Sequence, residues 1–200
     1  MEYKIDIYEK DKDNLFRFAL GSLSERTLFV FGANPSTAND QTPDMTIRKV
    51  MGFAERNRYK SFMMFNLYPQ RATNPDNLSD EMDRVMMDKN IEIIHRILSS
   101  QKEADILLAY GKLIYSRPYL PLCLKKIYQS IRGISLKFYR IGDYLKCGQP
   151  RHPLYAKYGF ELQAVDMDKY LHQNTFFYLF QHSVLQTHLK QVCQARYYSF

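Results

Sequence analysis

The 200-residue chain has three cysteines, Cys123, Cys147 and Cys193, odd in number and widely spaced. No disulfide framework and no CxxC or four-cysteine metal cluster can be built from them. No HxH, HExxH or CxxC motif is present, so neither a metal nor a cofactor is expected. No apolar run approaches the roughly 18 residues of a membrane span, and the N-terminus MEYKIDIYEKDKDN is charged from its second residue. A reducing cytoplasmic setting away from membranes is the expectation. Also missing are the closing Gly-Lys-Ser/Thr of a P-loop and the GxGxxG spacing of a dinucleotide fold. Negative charge is scarce in one place: residues 112–151 hold nine cations (Lys112, Arg117, Lys125, Lys126, Arg132, Lys137, Arg140, Lys146 and Arg151) against Asp143 alone. Residues 1–100 have 14 Lys and Arg against 15 Asp and Glu, so the whole net charge of +7 resides in the second half. DNA or another nucleic acid, held by the 112–151 stretch, is therefore a candidate partner.

The apolar content of 46% supplies a core for a single domain over residues 1–200. Tyr3, Ile5 and Ile7, then Phe16, Phe18 and Leu20, alternate about the turn-forming EKDKDN and predict an N-terminal hairpin. TLFVFG (27–32), SFMMFNLY (61–68), ADILLAYG (104–111) and SLKFYRIG (135–142) are continuous apolar runs of the kind buried on both faces of a parallel sheet. Between them lie helical patterns. One spans 44–58, with Ile47, Val50, Met51 and Ala54 on one side. Another begins near Ser79, with Met82, Val85, Met86, Ile93, Ile94, Ile97 and Leu98 as its apolar stripe, and a third, broken near Pro118 and Pro121, runs to about Arg132. This order predicts an α/β fold: three α/β/α layers about a mostly parallel four-stranded sheet, plus the hairpin. Residues 27–155 form the core, and 156–200 read as a helical C-terminal extension rich in aromatics.

In open parallel sheets, ligands bind beyond the carboxyl ends of the strands, where loops converge and helix N-termini present free N–H groups. Three polar clusters fall there: GANPSTAND (32–40), NLYPQRATNP (66–75) and GQPRHPLY (148–155). In the first, Gly32, Asn34, Pro35, Ser36 and Thr37 offer a tight turn, an amide and two hydroxyls. In the second, Asn66 can donate and accept as reading a base edge requires, and Arg71 brings a cation for phosphate or carboxylate. The third holds Arg151 and His152 between Pro150 and Pro153, which fix the direction of the imidazole. His95, His172, His182 and His188 read as structural.

NPSTA, then Asp44, Thr46, Ile47 and Arg48, then Asn66-Leu67 with Arg71-Ala72-Thr73, Pro75 and Leu78, and finally Pro150-Arg151-His152-Pro153-Leu154-Tyr155 resemble the bacterial domain-of-unknown-function family 1643. More distantly, Gly32, Asn34 and Pro35, a strand ending in Asn66 with Pro69 and Arg71 after it, and His152-Pro153 are similar, in the same order, to motifs of the uracil-DNA glycosylase superfamily. Leu154-Tyr155 stand where that superfamily usually has a serine, and the cysteines cannot make the iron–sulfur cluster of its thermophile-type branch.

The resemblance implies a uracil-DNA glycosylase-like protein that recognises or excises a nucleobase by hydrolysing its N-glycosidic bond. Asn34 and His152 would be catalytic, the first placing water and the second donating to the departing base. Asn66 would select the base, and Tyr68 or Phe53 would stack on it. Two readings of other classes stand beside it. One is an enzyme or sensor for a free nucleoside or nucleotide, gripped by Arg71 and Arg151. The other is a nucleic-acid-binding module without catalysis.

Overall fold

The computed structural model describes residues 1–173. Met1–Val165 forms one compact unit, and a second begins at Asp166. Seven strands make a single mixed sheet: β1 (Ile7–Lys10), β2 (Arg17–Gly21), β3 (Thr27–Gly32), β4 (Ser61–Asn66), β5 (Ala104–Leu108), β6 (Leu136–Ile141) and β7 (Leu162–Val165). Their spatial order is β1-β2-β4-β3-β5-β6-β7. The four apolar runs are the parallel centre, β4-β3-β5-β6, with Leu28 beside Phe62 on one side and Asp105 on the other.

The α/β class stands, and the expected four-stranded sheet gives way to seven strands. The hairpin is no appendage: β2 pairs antiparallel with β4, Leu20 opposite Met64 and Gly21 opposite Met63. Gly21 makes this approach possible, because a Cβ there would lie 2.1 Å from the Phe62 carbonyl oxygen. At the far edge β7 pairs antiparallel with β6, Phe138 opposite Val165. LQAV is four residues with Gln163 alone polar, too short an alternation to mark β7 in the sequence. Residues 174–200 of the expected terminal extension lie outside the described residues.

Alternate β3 side chains serve opposite faces. Leu28 and Val30 pack in a core with Ile47, Val50, Phe53 and Ala54 of α1 (Met45–Arg56), whereas Phe29 and Phe31 lie against the Phe65 ring. Burying each such side chain is worth about 1.5–3 kcal/mol. α2 (Arg84–Ser99) and α3 (Leu120–Ile131) pack on each other, and α2 also contacts β2. Asp83 caps α2 by accepting from the Met86 N–H, so that helix starts five residues after Ser79 and Val85 of the expected apolar stripe is 70% exposed. Among the described residues no helix is long and apolar enough to cross a membrane.

The chain runs from β3 outward to β4 and then returns to the other side of β3 for β5. The carboxyl end of β3 is thus the switch point of the sheet, the position at which α/β folds place ligands.

Candidate functional site

A cavity of about 370 Å³ opens at this switch point. β3 ends at Gly32, where a Cβ would come within 2.5 Å of Met64 Cε and 2.8 Å of Asn66 Oδ1. The bare backbone lets the next loop turn over the sheet and join the loop after β4. The Leu67 and Tyr68 N–H groups donate to the Gly32 and Ala33 carbonyls at 2.8 and 3.0 Å, and Ala72 N–H donates to Pro35 at 2.9 Å. Within this seam Asn34 Nδ2 donates to the Pro35 and Ala72 carbonyls at 3.0 and 2.8 Å. Both amide hydrogens are committed, so the side chain has one orientation and its acceptor, Oδ1, is left for the cavity that Asn34 lines.

His152 comes from the loop after β6 and precedes a short 3-10 turn, Pro153–Tyr155. Its Nδ1 accepts from the Leu154 N–H at 3.3 Å, which places the imidazole proton on Nε2. Burial lowers its pKa to about 4, with Asp44 pulling weakly upward, so the ring is a neutral Nε2–H donor at physiological pH. Gly111, at φ +58°, leaves the space the His152 backbone occupies. Asp44, capping α1 through the Ile47 N–H at 2.9 Å, brings an acid to the same cavity.

Of the residues expected at the site, Gly32, Asn34, Ser36, Thr37 and His152 line this one cavity, so the first and third polar clusters converge. The second contributes Ala72, Thr73 and Pro75. Pro35 is buried within its own loop. Asn66 lies beneath Gly32, fully buried, and neither Nδ2 nor Oδ1 has a hydrogen-bond partner among the described residues, whereas its carbonyl accepts from Asn90 Nδ2 at 3.0 Å. Tyr68 is held between Phe16 and Tyr119, its hydroxyl accepting from the Asp83 N–H, and Phe53 belongs to the α1 core. Arg71 donates to the Ser36 and Ala38 carbonyls and to the Tyr8 hydroxyl, and Arg151 lies over the Phe160 ring.

An unpartnered buried amide costs about 1–3 kcal/mol, and an apolar replacement of like shape removes that cost. Asn66→Leu is therefore expected to leave the unfolding free energy from urea titration unchanged or raise it by about 1 kcal/mol. A fall of that size would show that the Asn66 amide is paired in the folded protein.

The lining residues with ionisable or aromatic side chains that the sequence reading missed are Arg17, Asp44 and Tyr155. Arg17 sits in the polar phase of the Phe16-Phe18-Leu20 alternation, which points to solvent, yet it is 2% exposed because the 33–40 loop covers that face. Asp44 and Tyr155 do stand in the motif strings, and Tyr155, 82% exposed, is the aromatic at the mouth.

The basic stretch is divided. Arg117 donates to the Asp76, Leu78 and Ser79 carbonyls, Lys137 pairs with Glu103 at 3.1 Å, and Arg140 lies over Tyr144 beside Asp143. Lys112, Lys125, Lys126 and Lys146 are exposed.

Fold and site define an α/β protein with a partly enclosed cavity at the switch point of its sheet, apolar over most of its lining and carrying the Asn34, Asp44 and His152 side chains. The family model described as protein of unknown function (DUF1643) matches residues 17–154, and the chain belongs to that family. That span holds every cavity-lining residue except Tyr155. No curated protein and no solved structure matches the chain, and the similarity to uracil-DNA glycosylases finds no support there.

Proposed function

We propose that the cavity recognises a nucleobase and that the protein hydrolyses its N-glycosidic bond. One observation carries this reading: a single cavity is lined by an amide whose acceptor Oδ1 is left over by two fixed donations, and by a neutral imidazole whose Nε2–H is a donor. Dissociative cleavage of the C1′–N bond sends its electron pair to the base and leaves a cationic sugar. Asn34 Oδ1 accepts from the water whose oxygen then bonds to C1′, and that water's proton leaves to solvent. An amide is a weak base, so the rate comes mainly from the His152 Nε2–H bond to the base as negative charge develops on it. Tyr155 at the mouth offers the stacking face, in place of Tyr68 or Phe53. If the substrate is a strand, the exposed lysines at 112, 125, 126 and 146 hold its phosphates and binding weakens steeply with salt.

The test is base release at low salt. Single- and double-stranded oligonucleotides carrying uracil, hypoxanthine, xanthine or alkylated bases are treated with alkali after incubation, and free nucleosides and nucleotides are followed by chromatography. Release by the wild type that disappears in Asn34→Ala and in His152→Ala is expected. No release from any substrate, or release that survives both substitutions together, overturns the reading.

A further inference from the structure

The cavity is lined by a buried cation that forms no ion pair among the described residues. Arg17, carried by β2, donates from one Nη to the Ala38 carbonyl at 2.8 Å, and its buried Nε has no partner among the described residues. Arg71 donates to the same carbonyl from both of its Nη atoms, at 3.2 Å each. Two guanidinium groups thus meet on one oxygen. Burial first, and Arg71 second, lower the Arg17 pKa to about 10, which leaves it charged at neutral pH. Neither arginine forms an ion pair with a carboxylate among the described residues. Asp44, the one acid lining the cavity, caps α1 through Oδ1 and favours the Arg17 charge without forming an ion pair with it. A buried charge that lacks an ion-paired partner is unfavourable, and an anionic ligand relieves it.

We infer that the deep end of the cavity is an anion subsite, in which Arg17 binds the terminal phosphate of a mononucleotide-sized ligand. The phosphate is terminal because Arg17 is almost wholly enclosed, whereas the mouth is at Tyr155 and Met45, which are 82% and 63% exposed. A phosphodiester within a strand continues from two of its oxygens and needs two ways out, but a monoester needs one. A monoester also carries close to two negative charges at neutral pH, against one for a phosphodiester, and so gains more from the Arg17 charge. A volume of about 370 Å³ is at the small end of ligand pockets, enough for one such molecule. Arg71, held by Ser36, Ala38 and Tyr8, adds positive potential without having to move.

The phosphate part stands on Arg17 and Arg71 alone, while the nucleoside part rests on the proposed function. Calorimetric titration of the full chain with inorganic phosphate, nucleoside 5′-monophosphates, the matching nucleosides, and a short oligonucleotide lacking terminal phosphate tests them separately. At least tenfold tighter binding of a monophosphate than of its nucleoside is expected, and Arg17→Gln removes the difference. Asp44→Asn keeps an α1 cap, since Asn caps as well as Asp, and is expected to tighten the monophosphate severalfold more than it changes the nucleoside. That variant decides the matter even if Arg17→Gln does not fold. Equal binding of monophosphate and nucleoside, both shifted alike by Asp44→Asn, overturns the subsite, and so does failure of phosphate and monophosphate to bind. Oligonucleotide binding as tight as that of the monophosphate overturns the terminal-phosphate assignment. Phosphate preference regardless of base leaves the subsite and removes the base reading.

Discussion

Between pH 6.5 and pH 4 the wild-type protein is expected to lose up to about 3 kcal/mol of stability that a His152→Asn variant retains. The folded state binds the imidazole proton only near pH 4, because burial disfavours the imidazolium, whereas the unfolded chain binds it from about pH 6.5 downward. In that window unfolding takes up a proton, so stability falls as pH falls. Above pH 6.5 neither state is protonated and the contribution is complete. Asparagine is the informative replacement, because its Oδ1 accepts from the Leu154 N–H as Nδ1 does and keeps the cap of the 153–155 turn. The readout is the difference between urea midpoints of the two proteins from pH 7.5 to pH 4. Parallel lines would mean that His152 is not the buried neutral group described here. The same electrostatics bear on catalysis: the Nε2–H donor does not titrate across the physiological range, so base release should show no loss from a protonating histidine between pH 6 and pH 8.

Sequence alone reveals the features with a short period or a local cause. The four central strands are legible because a strand covered on both faces is apolar at every position, as Thr27–Gly32 is. Asn34 and His152 are legible because strand-end position and proline-fixed backbone both bear on direction. What depends on a neighbour from elsewhere in the chain is not. The pairing of β2 with β4 rests on a missing Cβ at Gly21, and nothing near Gly21 announces Phe62. Alternation sends Arg17 outward until a loop sixteen to twenty-three residues further on covers it. Asn66 and Tyr68 end an apolar strand as a binding residue would, but the backbone of Gly32 lies over the first and Phe16 and Tyr119 close on the second. The cations of 112–151 look like one surface in the sequence and divide in the fold, where carbonyls just past the second loop cluster claim Arg117 and Glu103 pairs with Lys137.

Gly111→Ala is expected to cost about 2–4 kcal/mol, and about half of that should be recoverable at a second position. Gly111 has φ +58°, where an L side chain costs roughly 1–2 kcal/mol from local sterics alone. The added Cβ would also stand 2.9 Å from His152 Cβ and 3.2 Å from His152 N. Those atoms belong to a backbone held by the Tyr155 N–H bond to the His152 carbonyl and by buried Pro153, so they cannot step aside as a side-chain tip would. The two penalties separate in a double-mutant cycle. His152→Gly removes the opposing Cβ and leaves the strained φ untouched, so in that background Gly111→Ala should cost only the local part, about 1–2 kcal/mol. An undiminished cost would place the whole effect in the Gly111 backbone and deny the contact. A reduced one, together with loss of base release in Gly111→Ala at temperatures where the protein remains folded, would show that Gly111 sets the position of the imidazole without itself lining the cavity.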